Sequence, residues 1–178
     1  AYRGASILLS SPIGFRTDHL LMASFDPQLA RYDTAQTQEF YQKLLEKARA
    51  LNGVKTVALA RAVPIAASGV GLSRIVPERI PLPPGTEALA LISNTVSDDY
   101  FAAVGIPLLE GREFQKTDRA DSPRVAIVNE AFARKYYPNR SPIGKRFRLD
   151  GSTGPFTEIV GVANQAKYIF PVEPHFQH

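Results

Sequence analysis

The sequence predicts a mixed α/β (α+β) fold, and three observations carry that prediction. A helical pattern of Phe40, Tyr41, Leu44, Leu45, Ala48 and Leu51 stands between two β-rich stretches. A β-type run at 125–128 is followed by a helix that Pro138 must end, because the residue before proline avoids helical geometry. Two further β patterns, 144–149 and 156–162, flank the turn-forming cluster 150–155, as in a hairpin.

Along the chain, residues 20–25 read as a strand closed by Asp26 and Pro27. Asp33 then opens a helix, with Gln36 three residues on to complete a reciprocal cap, and Gln42, Lys43, Glu46, Lys47 and Arg49 form its wet face. Asn52-Gly53 stops the helix, because glycine takes the left-handed conformation there, and 54–60 resumes as a strand. Residues 19–63 therefore make one strand–helix–strand unit.

The stretch 64–85, with Pro77, Pro81, Pro83 and Pro84, is expected to be an extended loop with at most an edge strand, since each proline removes a ladder donor. Residues 88–96 follow as a strand. Ser97 is expected to cap a short helix, 98–104, in which Asp98 and Asp99 suit the positive end of the helix dipole. Gly105 ends that helix, 107–114 is extended, and the charged segment 115–123 reads as a boundary. Beyond it lies a β-α-β-β module: strand 125–128, a helix from the Asn129 cap to Tyr137, and the hairpin. Residues 169–178 hold two prolines and no periodicity, and are expected to form a loose tail.

At 178 residues the chain buries roughly 70% of its unfolded surface on folding, enough for one good core or two small ones. Apolar residues make up 44% and charged residues 21%, which excludes a disordered or fibrous class. The absence of cysteine removes disulfides, thiolate zinc sites and iron–sulfur clusters. The net charge of +4 is interspersed with acidic residues and too dilute to imply nucleic acid. The apolar run 7–9 is broken by Ser10, Ser11 and Pro12, far short of the roughly 20 residues of a membrane span. A signal peptide also fits poorly around the lone Arg3, so any export signal is expected outside this chain.

Nucleophilic catalysis needs a base beside the nucleophile, and the histidines are His19, at a strand entry, and His175 and His178, in the tail. Asp98 and Asp99 fit a helix start better than a carboxylate pair, and Asp118 and Asp121 sit in a solvated linker beside Arg119 and Arg124. Gly69-Val70-Gly71 has Arg74 where a dinucleotide fingerprint needs glycine, and Gly144-Lys145 has Asn139 where a phosphate loop needs one. Arg134, Lys135, Arg140, Lys145, Arg146 and Arg148, interleaved with Tyr136, Tyr137 and Phe147, have a nucleic-acid-like composition. They read better as a helix C-terminus and a half-exposed strand. No catalytic, cofactor-binding or metal residue is assigned, and no cofactor is expected.

Several segments in order resemble the extracytoplasmic core domain of MacB/FtsX-type ABC transporter permeases. They are GFRTDHLLMASFDPQLARYD at 14–33, FYQKLLEKARALNGVKTVALA at 40–60, VSDDYFAAVGIPLLEGREF at 96–114, RVAIVNEAFARKYYP at 124–138, SPIGKRFRL at 141–149 and FTEIVGVANQAKY at 156–168. The resemblance implies a Porter-like strand–helix–strand subdomain, placed at 1–115, and a smaller Sabre-like subdomain at 116–168, before the tail 169–178. Relative to that family the chain lacks the nucleotide-binding domain, the transmembrane helices and the final strand–helix segment. It therefore reads as a fragment, with a sheet edge expected to be filled by a partner or locally disordered.

The implied function is that of a non-catalytic, periplasmic domain on the outer face of the bacterial cytoplasmic membrane. It would couple cytoplasmic ATP hydrolysis to engagement of a substrate or partner protein, in export or mechanotransmission. The implied partners are the rest of its permease, a nucleotide-binding subunit, a periplasmic adaptor or substrate protein, and a second permease copy in a homodimer, with no nucleic acid. The alternative is an extracytoplasmic ligand-binding or sensory module, in which the Pro-rich loop and the cleft between subdomains hold a small ligand. A third reading is a hydrolase built on Asp98 or Asp121.

Overall fold

The computed structural model describes residues 14–26, 31–63, 71–119 and 121–166. Helix α1, Thr34–Arg49, starts as its cap chemistry requires. The Asp33 carboxylate accepts from the Gln36 amide at 2.8 Å, and the Gln36 side chain accepts from the Asp33 amide at 3.0 Å. Two shorter helices follow, α2 at Tyr100–Val104 and α3 at Glu130–Tyr136. The strands are β1 Gly71–Pro77, β2 Leu89–Ser93, β3 Leu108–Gly111, β4 Arg124–Asn129, β5 Arg146–Leu149 and β6 Phe156–Ala163.

All six strands form one mixed sheet centred on β6. Along one edge of β6 lies β4, parallel to it. A strand has only two hydrogen-bonding edges, so β5, paired with residues 156–158, and β3, paired with 161–163, share the other. Antiparallel β1 continues outward from β5, and β2 from β1.

Ala126 of β4 faces Ile159, but the next residue, Ile127, faces Gly161, so Val160 is an extra residue in β6. Side chains alternate with period two, and one inserted residue exchanges the faces. Before the bulge β6 serves a core of Ile75, Phe132, Tyr137, Phe147 and Ile159, under α3. Beyond it β6 serves a second core of Tyr100, Val104, Ile106 and Ala163, with α2. The neighbours Ile127 and Val128 join different cores, which places the two on opposite faces of the sheet.

Where β3 replaces β5 alongside β6, Gly111 is registered against Gly161. A Cβ on Gly161 would lie 2.6 Å from the Arg112 carbonyl oxygen, and one on Gly111, at φ +77°, 2.2 Å from the Val160 carbonyl oxygen. Backbone meets backbone here with no room for a side chain.

The structure corrects several sequence expectations. Residues 20–25 form no strand and pair with none among the described residues, and Leu21 is 94% exposed. The stretch 54–60 makes, among the described residues, a single bridge, Ala60 to Val96. Extended propensity cannot supply a ladder partner. Residues 71–77, expected as loop or edge, form the interior strand β1, with Pro77 at its last position. Helix α2 begins at Tyr100, and the Asp99 before it is left-handed with no side-chain cap bond. Ser97 is committed elsewhere, its hydroxyl accepting from the Leu59 amide at 2.9 Å and donating to the Asp98 carbonyl. The tail 169–178 lies outside the described residues.

Gly161→Ala is expected to lower unfolding free energy by about 2–4 kcal/mol, because neither backbone can yield without breaking the β3–β6 ladder. Urea denaturation at neutral pH checks this, and a cost near zero would show that the crossing relaxes.

Candidate functional site

An open groove of about 380 Å³ lies where α3 and the turn after it approach β3. The Asn129 side chain accepts from the Phe132 amide at 2.8 Å, which fixes the start of α3, and the chain leaves the helix at Tyr137 and Pro138. Asn139 then takes a left-handed turn at φ +59°. The Ser141 hydroxyl bonds the Glu110 carboxylate of β3 and also accepts from the Ile143 amide at 3.1 Å, tying the turn to the strand.

Leu109, Ala133, Pro138, Pro142 and Val162 supply apolar lining, and Glu110, Glu130, Arg134 and Arg140 supply charge. Arg134 is engaged with Glu130 at 3.2 Å. Tyr137 also lines the groove and is 4% exposed. Its hydroxyl has no hydrogen-bond partner among the described residues, and burial pushes its pKa up. Such a surface can hold a segment of another molecule by apolar contact and charge pairing.

The sequence candidates are dispersed. His19 is exposed and contacts only its neighbour Asp18 among the described residues, at 3.2 Å. Asp99 meets Arg49 at the end of α1 at 3.5 Å, and Asp121 is exposed. Asp118 forms a two-pronged pair with Arg112, at 2.8 and 3.0 Å, and accepts from the Gln115 amide. His175, His178, Gly69 and Val70 lie outside the described residues, and Gly144-Lys145 is a turn. Among the described residues no three His, Asp or Glu side chains stand close enough to hold a metal ion.

Part of the basic stretch, though exposed, is paired with groups of the chain itself. Arg146 makes a two-pronged pair with Glu78, at 3.0 and 3.1 Å, which holds the Glu78 carboxyl below its usual pKa. Arg148 donates to the Gly154 carbonyl at 2.7 Å and lies 3.8 Å from the centre of the Phe156 ring, with Arg146 at 4.4 Å. Sequence reasoning missed Glu78, Phe156 and Glu110. The alternation of β5 was the only signal available, since partners 68 residues apart meet only through sheet register.

The fold and groove define a mixed α/β domain whose charged side chains brace loops and strands and whose open surface suits contact with another molecule. A profile of the MacB-like periplasmic core domain matches residues 9–173, and the chain belongs to this family, the extracytoplasmic domain of ABC-type permeases. Among solved structures, it is similar to the periplasmic region of MacB from Actinobacillus actinomycetemcomitans, at 15% identity and a TM-score of 0.54, over 92% of this chain and 68% of that one. It is also similar to the extracellular domain of the noncanonic ABC-type transporter YknZ from Gram-positive bacteria. That likeness has 20% identity and a TM-score of 0.48, over 70% of this chain and 57% of that one. The chain thus spans less than two thirds of the YknZ domain's length. No curated protein matches its sequence. Among the described residues no helix is long and apolar enough to cross a membrane.

Two carboxyls shift in opposite directions. Arg112 holds Asp118 below its ordinary value of 3.8, so the pair contributes stability in full above that value and loses it as pH falls through the lower folded value. Asp118→Asn is expected to cost about 1–2 kcal/mol at pH 7 and progressively less in acid, read by urea unfolding. Burial and the nearby Asp99 raise Glu113 above 4.5, against the lowering effect of the Ala102 amide. The folded state therefore gains stability as pH falls through that raised value. Glu113→Gln is expected to raise stability at pH 7 by up to about 1 kcal/mol, a gain that disappears in acid.

Proposed function

We propose that this domain couples ATP hydrolysis inside the cell to engagement of a substrate or partner protein outside the cytoplasmic membrane, in export or mechanotransmission, without chemistry of its own. The observation that supports it most is the contact of Gly14 with the chain just after β6. A Cβ on Gly14 would lie 2.2 Å from the Gln165 carbonyl oxygen and 2.9 Å from Ala166 Cα. Phe15 and Ala166 pack beside Tyr100, Val104, Ile106 and Ala163. Force applied near either residue 14 or residue 166 thus enters at one place, and β6 passes it to three strands.

Residues 1–115 and 116–168 serve in this proposal as Porter-like and Sabre-like parts, and the sheet they share makes them respond together. The partners are the rest of its permease, a nucleotide-binding subunit, an adaptor or substrate protein, and a second permease copy. The groove between β3 and α3 favours a second reading, a ligand-binding module. A small molecule that raises the melting temperature while leaving ATP coupling absent would support that reading instead.

The chain has no cysteine, and Glu87, whose side chain is 92% exposed, offers a labelling position. In the full-length permease stripped of other cysteines, Glu87→Cys is expected to react with a membrane-impermeant maleimide in intact spheroplasts, at a rate that changes during ATP turnover. Reaction only after lysis would overturn the extracytoplasmic placement, and a rate indifferent to ATP would overturn the coupling.

A further inference from the structure

Just past α1, residues 51–54 form a turn closed by a hydrogen bond from the Val54 amide to the Leu51 carbonyl at 3.2 Å. Gly53 is left-handed there, at φ +86°, a conformation glycine takes without strain. Asn52 and Gly53 are both exposed. Among the described residues the Asn52 side chain makes no hydrogen bond, and the Gly53 amide donates to no carbonyl. A carboxamide and the amide nitrogen that follows it are thus both unengaged, and no atom lies within 4 Å of where a Gly53 Cβ would stand. The other asparagines are held back. The Asn94 carboxamide is engaged at both ends with the Ala62 backbone, at 3.0 and 2.7 Å. The Asn129 oxygen accepts from the Phe132 amide at 2.8 Å. The Asn164 oxygen accepts from the Gln165 amide at 2.8 Å, which spends that nitrogen as a donor, and after Asn139 the Arg140 amide donates to the Tyr137 carbonyl at 3.2 Å. Each of these four is also followed by a residue whose side chain crowds its amide nitrogen: Thr95, Glu130, Gln165 or Arg140.

We propose that Asn52 is a site of spontaneous deamidation. The Gly53 amide nitrogen gives up its proton to solvent and attacks Cγ of Asn52. The N–Cγ bond forms, the Cγ–Nδ2 bond breaks, and Nδ2 takes a proton from water and leaves as ammonia, closing a succinimide ring. Water then adds to one of the two ring carbonyls and opens the ring. Attack at Cγ leaves aspartate, and attack at the main-chain carbonyl leaves isoaspartate. Water is the sole co-reactant. Ring closure requires the turn to open, and α1 before it has no buried residue, so local opening costs little. Either product places a carboxylate just beyond Lys47 and Arg49 at the C-terminal end of α1, the end of a helix where negative charge is disfavoured. Isoaspartate also routes the main chain through Cβ, which lengthens by a methylene the link from α1 to the Ala60–Val96 bridge. This chemistry is independent of what the domain engages.

Peptide mapping by mass spectrometry of the purified, folded chain after warm incubation checks this. Aspartate and isoaspartate are expected to accumulate together at position 52, ahead of every other asparagine. Their rate is expected to rise from mildly acidic to mildly alkaline pH, because the attacking nitrogen must lose its proton. On anion exchange the aged chain is expected to show a new, more retained species. Asn52→Gln, whose longer side chain must close a larger and slower ring, is expected to remove that species, and circular dichroism checks that this exposed substitution leaves the fold intact. An Asn52 that stays unmodified, another asparagine that reacts first, or aspartate formed without isoaspartate, the mark of direct hydrolysis, would each overturn the proposal. Should the variant unfold, the mapping of the parent chain decides by itself.

Discussion

The bulge at Val160 is the feature on which the rest of the molecule depends. Strand β6 is eight residues long, holds three other strands and contributes to both cores. Were the same residues paired as a regular strand, Ile159 and Ala163 would point to the same face, and one of the two cores would lose its central contact. With it, one strand supports α3 on one side of the sheet and α2 on the other. The glycine pair at 111 and 161 sits beside this bulge, where β3 takes over the edge that β5 has left. Several constraints therefore converge within a few residues of one strand, which also leads to the contact with Gly14.

Helix α1, before β1, is held differently. Helix α1 has no buried residue, although Phe25, Tyr32, Phe40 and Tyr41 meet edge to face along it. Its C-terminal end reaches the body through the Arg49–Asp99 pair, between exposed groups that hold weakly in water. Few buried contacts mean a low local opening energy. The sheet is thus the firmly packed part of the domain, and the helix is lightly tethered to it.

Charge in this chain serves mainly as bracing. The Arg112–Asp118 pair closes the loop after β3, the Arg146–Glu78 pair ties β5 to the end of β1, and Ser141 with Glu110 ties the turn after α3 to β3. A basic stretch that looks like a nucleic-acid surface in composition is thus paired with groups of the chain itself at Arg134, Arg146 and Arg148. The groove beside Tyr137 stays open at the surface.

Sequence alone determined the elements whose cause is local: the Asp33–Gln36 cap of α1, the Asn129 cap of α3, the left-handed Gly105 after α2, and the β5–β6 hairpin. The ordered motifs also made the family legible. Tertiary structure decided everything that depends on a distant partner. Residues 20–25 and 54–60 have strand-like composition yet lack a ladder among the described residues, while the proline-flanked 71–77 became an interior strand because β2 and β5 were there to receive it. The groove was invisible for the same reason, since Glu110, Tyr137 and Ser141 are brought together by strand pairing and not by spacing. Caps and turns are settled by hydrogen bonds across three or four residues, whereas a strand exists only where another backbone completes its bonds.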